Sequence, residues 1–180
     1  MKVIAGTVGG RRLKTPKGYK TRPTSARVKE AIFSSIASLI PGASFLDLFA
    51  GAGGIGIEAL SRGASHCTFV ERWPQAFSCL EYNLKQLCFK NSSLVVKDDA
   101  MNFINKGLNK KYNIVFLDPP YEKKELLITI LKKINNLLEK EGIVIVETES
   151  KYSLPMEYAA LQLTKMRRYG DTQVGFYKLQ

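Results

Sequence analysis

Hydrophobic residues follow two alternating patterns along the chain from residue 44 onward. Short apolar runs occur at residues 45–49, 66–71, 94–96, 112–117 and 143–146. Between these runs the apolar residues recur at helical spacing, as in Phe77, Leu80, Leu84 and Leu87. Strand-like and helix-like segments in strict alternation are typical of βαβ units. The pattern therefore predicts a parallel, doubly wound sheet with helices on both faces.

The C-terminal end departs from this alternation. Residues 161–169 and 172–179 are strand-like, and Gly170-Asp171 lies between them. Such a pair separated by a short turn predicts a hairpin. We therefore expect an α/β fold with a mostly parallel seven-stranded sheet that ends in a C-terminal antiparallel hairpin.

The N-terminal end differs as well. Glycines interrupt residues 3–13, so a small hairpin or a flexible basic arm is expected there. A helix should begin near Thr24 or Ser25, because either residue can cap it. We expect an N-terminal extension over residues 1–42, packed on a core domain over residues 43–180.

The composition is that of a protein with a full hydrophobic core. The chain has 180 residues, of which 45% are hydrophobic, enough for one α/β domain. No apolar run approaches the ~20 residues of a membrane span, and the N-terminus lacks the apolar segment of a signal peptide. Its three cysteines and single histidine offer no metal-ligand spacing and no evident catalytic triad. We expect a cytoplasmic protein that binds neither a membrane nor a metal.

The charge of the chain is strongly polarised. Its formal net charge is +11, and the first 30 residues carry nine lysines and arginines against one glutamate. This distribution favours a polyanionic partner, and nucleic acid is the usual one. A solvated basic surface is the alternative interpretation, whereas glycines and prolines argue against a membrane-surface helix. Arg11 and Arg12 lie in this stretch and are candidate contacts to phosphates.

The tetrapeptide Asp118-Pro119-Pro120-Tyr121 directly follows the apolar run at residues 112–117. Two prolines cannot continue a sheet ladder, so the chain is expected to leave the strand in a rigid corner. The carboxylate of Asp118 and the carbonyl of Pro119 could each accept one hydrogen of an exocyclic amine, while Tyr121 stacks on the base. Two such acceptors would aim the amine lone pair at an electrophile. An ordinary proline loop after a strand is the alternative.

A glycine-rich loop follows the first apolar run. Residues 51–56 match the pattern G-x-G-x-x-G, in which glycines let the backbone approach a ligand. Glu71 lies 20 residues after Gly51, which is the placement of a carboxylate that binds ribose hydroxyls. Gly51 and Gly53 are therefore candidate cofactor-binding residues. The loop alone fits NAD as well as S-adenosylmethionine.

Acidic residues at two places in the sequence distinguish between these two cofactors. Asp47 lies four residues ahead of the loop, where a carboxylate would repel a pyrophosphate but attract the ammonium of a methionine group. Asp98 and Asp99 follow the third strand, where one of them could receive the adenine amino group; Asp99 is preferred because the next helix begins after it. Acids after four successive strands favour S-adenosylmethionine in the crevice at their carboxyl ends. Four independent solvent-facing acids are the alternative.

Several segments of the chain together resemble a known family. Residues 45–56, the Glu71 spacing and the corner at residues 118–121 resemble Rossmann-like class I S-adenosylmethionine-dependent methyltransferases that act on exocyclic amines. The N-terminal half narrows the resemblance to the RsmD family, whose members methylate N2 of a guanine in 16S ribosomal RNA. The segments that carry it are residues 9–13, 22–24, 27–33 and 58–64. The resemblance extends over essentially the whole chain.

The resemblance implies roles for individual residues. The cofactor would be lined by Asp47, Phe49, Gly51, Gly53, Glu71, Asp99 and Ala100. The target guanine would contact residues 118–121, and the nearby RNA would contact Arg22, Thr24 and Arg27. Two positions depart from the family pattern. Ala52 replaces a small polar residue of the glycine loop, and Ala26 replaces an acidic residue before Arg27.

The implied reaction is direct transfer of a methyl group from S-adenosylmethionine to guanine N2 in 16S ribosomal RNA of the small ribosomal subunit. Asp118 is the nearest candidate for accepting the amine proton, either as a base or only as an orienting acceptor. An N6-adenine DNA methyltransferase is the nearest alternative, because that amine fits the same corner. A non-catalytic RNA-binding assembly factor is another, and Asp47 disfavours a nicotinamide dehydrogenase.

Overall fold

The described part of the chain folds into an eight-stranded sheet with helices on both faces. The computed structural model describes residues 1–16, 24–106, 110–120 and 124–180. The strands are β1 Ser44–Asp47, β2 His66–Val70, β3 Ser93–Val96, β4 Tyr112–Leu117, β5 Leu138–Glu149, β6 Glu157–Tyr158, β7 Leu161–Tyr169 and β8 Thr172–Leu179. The α-helices are α1 Ala26–Ser35, α2 Gly56–Ser61, α3 Pro74–Gln86, α4 Ala100–Asn105 and α5 Lys124–Lys133. None of the helices described is long and apolar enough to span a membrane.

The strand order is β3-β2-β1-β4-β5-β8-β7-β6. Strands β1 to β5 run parallel, and β8 joins β5 in the antiparallel direction. The predicted fold class is confirmed, and the sheet contains one strand more than expected, the two-residue strand β6 that pairs with β7. The order of the strands reverses between β1 and β4, and ligands of doubly wound sheets bind at such a switch point.

The two faces of the sheet bury separate cores, because successive side chains of a strand point to opposite faces. One face carries Phe45, Phe116 and Ile145 and packs against α1, α2 and α3. We call it the α1 face. The opposite face, the α5 face, carries Val115 and Val144 and packs against α4 and α5. The position of a residue in its strand therefore determines which helices its side chain contacts.

Element boundaries differ from the expected ones mainly at β5. The apolar run predicted a strand over residues 143–146, whereas β5 extends from Leu138 to Glu149. Leu138 also begins this strand instead of ending the preceding helix. The extension at the carboxyl end arises because β8 pairs with β5 as far as Glu149, and an antiparallel partner accommodates polar residues that an apolar-run criterion misses.

The first 13 residues form a hairpin-like turn. The backbone of Val3 donates to Arg11, Leu13 donates to Met1, and Gly10 donates to Val3. The turn packs on α2, where the Ser61 hydroxyl donates to the Ala5 carbonyl at 2.6 Å. The hairpin alternative of the N-terminal prediction is thus the observed one. The division of the chain at residue 42 stays a prediction.

Glu58 of α2 joins the N-terminal turn to α1. Its carboxylate is 0% exposed and accepts hydrogen bonds from the backbone of Ile4 at 2.7 Å and of Ala5 at 3.0 Å. It also pairs with Lys29 of α1 at 2.9 Å and with Arg62 at 2.8 Å. Burial alone would raise the pKa of Glu58, but these donors outweigh it and hold the pKa below its usual value. The buried carboxylate is therefore ionised and fully bonded.

We predict that Glu58→Gln lowers the free energy of unfolding by about 3–5 kcal/mol, because it leaves the buried ammonium of Lys29 without its counter-ion. Urea denaturation measures the loss. Glu30→Gln, at an exposed position of α1, is the matched control and should change stability by less than about 0.5 kcal/mol. Equal effects of the two substitutions would contradict the role of Glu58.

Candidate functional site

The acidic residues singled out from the sequence follow the carboxyl ends of neighbouring strands. Asp47 ends β1, Glu71 follows β2, and Asp118 follows β4. Electrostatic coupling of Asp47 to Glu71 and of Asp118 to Asp47 shows that the three carboxylates face a common region. This region lies at the β1–β4 switch point. The structure therefore brings these three predicted site residues together.

The glycine loop has one packed side and one open side. Gly51 and Gly53 have φ of +55° and +88°, a left-handed conformation that favours glycine. A Cβ atom at Gly53 would lie 2.5 Å from Leu80 of α3, whereas at Gly51 no atom lies within 4 Å. Gly53 is thus required for packing, and Gly51 leaves room for a ligand beside the turn.

Asp47 presents an unsatisfied acceptor to this region. The residue is 1% exposed, and its Oδ2 accepts a hydrogen bond from the backbone of Gly56 at 3.0 Å. Its Oδ1 is buried and has no hydrogen-bond partner in the described part of the chain. Burial raises the pKa of Asp47 to about 7, against the lowering effect of the Gly56 and Phe49 amides and with a small reinforcement from Glu71. A buried acceptor of this kind is costly unless a donor arrives, so the residue suits a cationic ligand group.

Glu71 ties the glycine loop to the end of β2. Its Oε2 accepts a hydrogen bond from the backbone of Gly51 at 2.8 Å, and its Oε1 accepts one from the backbone of Trp73 at 2.6 Å. An ionised carboxylate has about four acceptor sites, so each oxygen can still accept a ligand hydroxyl. Glu71 therefore has a structural role in holding the turn, in addition to the predicted contact with ribose.

The two aspartates after β3 have different environments. Asp99 caps α4 by accepting from the backbone of Met101 at 2.9 Å, and its other oxygen lies 3.4 Å from Arg72. Asp98 accepts from Lys106, from the backbone of Asp99 and from Asn102, and these bonds lower its pKa. Asp98 is thus already engaged in an ion pair, whereas Asp99 keeps one oxygen with only a long contact. The assignment of Asp99 and Ala100 to an adenine site stays a prediction.

The corner that follows β4 is partly shielded from solvent. Asp118 is partly buried, Pro119 is buried and Pro120 is exposed, while Tyr121 lies outside the described residues. Burial, then the charges of Glu147 and of Asp47, raise the pKa of Asp118 well above its usual range. Two carboxylates close together in a desolvated site cannot both ionise easily. This corner therefore favours a ligand group that donates hydrogen bonds.

Glu147 of β5 belongs to the site but was not predicted from the sequence. Asp118 and Glu147 directly follow Leu117 and Val146, which are paired in register. The Glu147 side chain is 3% exposed, and its Oε2 accepts a hydrogen bond from the Thr24 hydroxyl at 2.7 Å. In the sequence, Glu147 is a charged residue directly after an apolar run. Its place in the site could not be predicted, because the sequence does not show that β5 is the neighbour of β4.

The residues predicted to contact RNA lie at two distances from the site. Thr24 contacts Glu147 directly, and Arg27 is exposed in the first turn of α1 beside it. Arg11 and Arg12 are exposed on the N-terminal turn, which packs on α2 rather than on the corner. Arg22 lies outside the described residues. Contacts of these residues to nucleic acid stay predictions.

Comparison with known proteins identifies the family. A family model described as "Conserved hypothetical protein 95" matches residues 1–178. The chain is 37% identical to "Ribosomal RNA small subunit methyltransferase D" of Escherichia coli K12, over 99% of this chain and 89% of that protein. The chain belongs to the RsmD family. It is also 40% identical to "Putative rRNA methyltransferase YlbH" of Bacillus subtilis, over 99% of this chain and 98% of that protein.

Solved structures agree with this membership. "Putative methyltransferase yhhF from Escherichia coli" superposes with a TM-score of 0.89 at 34% identity, covering 100% of this RsmD-family chain and 98% of that chain. The structure "SMU.776, a putative methyltransferase complexed with SAH" has a TM-score of 0.68 at 13% identity, over 82% of this chain and 49% of that one. At that identity the second likeness shows only a shared fold.

We predict that the contribution of Asp47 to the stability of this RsmD-family protein falls as the pH rises from about 4 to about 7. With a raised folded pKa, the native state binds more protons than the unfolded state in that window, so deprotonation favours unfolding. Asp47→Asn should reduce the loss by about 2–4 kcal/mol in urea unfolding. Asp118 also has a raised pKa and contributes to the pH dependence with the same sign. The test therefore compares wild type with Asp47→Asn, and identical slopes of stability against pH for the two proteins would contradict the prediction.

Proposed function

We propose that this protein methylates the exocyclic N2 amine of a guanine in 16S ribosomal RNA, using S-adenosylmethionine. One observation supports the proposal above the others. The unsatisfied oxygen of Asp47 and the acceptor corner at Asp118 lie at the same switch point as the open glycine turn. A cationic group and an amine donor can therefore be held side by side.

The residues around the glycine turn fit S-adenosylmethionine. When bound, this cofactor supplies an electrophilic methyl group on a sulfonium. Asp47 would accept from its ammonium group, directly or through water, which satisfies the buried Oδ1. Glu71 would accept from the ribose hydroxyls, and the open space at Gly51 would admit the ligand. Phe49, Gly53, Asp99 and Ala100 would complete the pocket wall.

The corner would hold the amine. The Asp118 carboxylate and the Pro119 carbonyl each accept one N–H of guanine N2, which points the nitrogen lone pair away from them and toward the methyl group. Tyr121 would stack on the base, an interaction worth roughly 1–3 kcal/mol. Positioning in this manner supplies most of the rate enhancement, because the amine needs no prior ionisation.

A proton must leave N2 when the N–C bond forms. Asp118 is nearest, and its raised pKa makes it a stronger acceptor than an ordinary aspartate. Glu147 lies beside it and contributes to that rise. The pair can hold one proton between two carboxylates, as closely coupled acids do. The product amine is thereby left neutral.

The substrate assignment draws on relatives and on charge. Both relatives quoted above are named as ribosomal RNA methyltransferases, and the name of the Escherichia coli enzyme includes the small subunit. The net charge of +11 suits a polyanion. The target base must be unpaired or turned out of its stack, because an amine inside a helix is out of reach. The small ribosomal subunit as partner and a cytoplasmic location stay predictions.

The proposal is tested by incubating the purified protein and labelled S-adenosylmethionine with small ribosomal subunits from cells that lack the enzyme. Mass mapping should then find N2-methylguanosine at one nucleotide of the 16S RNA. Methylation of DNA adenine instead would support the alternative DNA enzyme. RNA binding without methyl transfer, together with no calorimetric binding of S-adenosylhomocysteine, would support an assembly factor.

We predict that Asp118→Ala lowers kcat by at least about 10²-fold, because positioned acid–base groups contribute about 10²–10⁴-fold. Affinity for S-adenosylhomocysteine, measured by calorimetry, should remain within about threefold of wild type, since this residue is assigned to the base. Glu71→Gln is the reciprocal variant and should weaken cofactor binding. A large loss of cofactor affinity in Asp118→Ala would refute the assignment.

We predict that Glu147→Gln moves the acidic limb of the kcat–pH profile to lower pH by about one pH unit. Asp118 accepts a proton only when ionised, and removing the neighbouring negative charge lowers its pKa. Glu139→Gln is the matched control, because Glu139 is exposed at the opposite end of the same strand. Superimposable profiles for Glu147→Gln and wild type would show that the charge of Glu147 does not act on the reaction.

A further inference from the structure

The antiparallel end of the sheet continues the row of residues that forms the corner. Glu147 of β5 pairs with Val174 of β8, and Val174 pairs with Arg167 of β7. Asp118 occupies the same level on the other side of Glu147. Because neighbouring strands are ~4.8 Å apart, the Cα atoms of Arg167 and Asp118 are about 14 Å apart. Arg167 therefore lies in line with the acceptor corner.

After the register shift between Leu163 and Lys165, the side chains of β7 alternate between the two faces. Lys165 pairs with Phe176 and Arg167 with Val174, both in the core of the α1 face. Tyr169 packs against the same core. Arg168 instead pairs with Gln173, whose amide reaches the backbone of Tyr152 on the opposite face. The two adjacent arginines thus point to opposite faces of the sheet.

On the α1 face, β7 presents cations beside an aromatic ring. Arg167 is exposed and forms no ion pair with an acidic residue of the described chain. Lys165 donates to the Ser35 hydroxyl of α1 at 3.0 Å, so the strand lies alongside this helix. Tyr169 is partly buried at the carboxyl end of β7. Because β7 runs parallel to β5, this is the end on which the acceptor corner lies.

We propose that Lys165, Arg167 and Tyr169, here called the β7 strip, bind the RNA strand next to the target guanosine. The inference rests on the proposed function, and it adds a surface to the N-terminal basic residues. Arg167 would contact a phosphate, and Tyr169 would stack on a neighbouring unpaired base. A groove that combines cations with an aromatic platform is the recurrent arrangement for single-stranded nucleic acid.

The spacing favours a flanking nucleotide over the target base. At about 14 Å from Asp118, Arg167 is too far to contact a guanine held in the corner. The row between them consists of Glu147 and Val174, both buried. The RNA strand would therefore cross β5 and β8 near the start of α1, where Thr24 and Arg27 lie. It would then reach β7 on the far side. The flipped base and the flanking phosphate are thus held by different halves of the sheet.

The test compares Arg167→Gln with Arg168→Gln. The two substitutions remove the same charge at adjacent exposed positions on opposite faces, so they control for net charge and for folding. Fluorescence anisotropy with a fluorescein-labelled single-stranded RNA, at several KCl concentrations, measures affinity. Arg167→Gln should weaken binding roughly fivefold and reduce the salt slope by about 0.7. Arg168→Gln should leave both unchanged, and Arg167→Lys should restore most of the affinity.

Tyr169→Leu supplies a second readout, because leucine keeps the apolar packing and removes the aromatic face. It should weaken RNA binding about tenfold with little effect on the salt slope. Equal anisotropy results for Arg167→Gln and Arg168→Gln, whether both weak or both normal, would overturn the proposal. The readout needs no methyl transfer. An inactive wild-type protein would therefore refute the proposed function and still leave the β7 strip to be decided by binding.

Discussion

The proposed site depends on three desolvated carboxylates, those of Asp47, Asp118 and Glu147, on one face of the sheet. Asp47 pairs in register with Phe116, and Phe116 pairs with Ile145. Asp118 and Glu147 each lie two residues further along the same strands, so all three acids point to the α1 face. Their burial raises the pKa of Asp47 and of Asp118. Such an arrangement costs stability in the free protein, and it is relieved by ligands that bring hydrogen-bond donors.

The N-terminal extension is fixed to this acidic region through buried polar contacts. Glu58 holds both the first turn of the chain and Lys29 of α1. Thr24 lies directly before Ser25, the N-cap residue of α1, and its hydroxyl donates to the Glu147 carboxylate. Helix α1 therefore links Glu58, whose charge is neutralised, to Glu147, which is an acceptor of the candidate site. Displacement of α1 would therefore disturb both contacts.

The sequence predicts the strand and helix order well, because apolar periodicity and turn residues are local properties. The hairpin over residues 161–169 and 172–179 has the same bounds in the structure. Contacts that depend on the order of strands cannot be read in this way. Glu147 became part of the site only because β5 is the neighbour of β4. Likewise the second role of Glu71, in holding Gly51 and Trp73, follows from the fold of the loop and not from spacing.

The change of strand direction between β5 and β8 divides the sheet into a parallel half and an antiparallel half. In the parallel half, loops and helix starts converge on the β1–β4 switch point, which suits a small cofactor. In the antiparallel half, long side chains of β7 such as Arg167 reach solvent on the α1 face. A polynucleotide needs an extended exposed surface, whereas its reacting base needs a desolvated one. Glu147 of β5 is buried and lies two strands away from the exposed Arg167, so the proposed RNA contacts would find both kinds of surface within one continuous row.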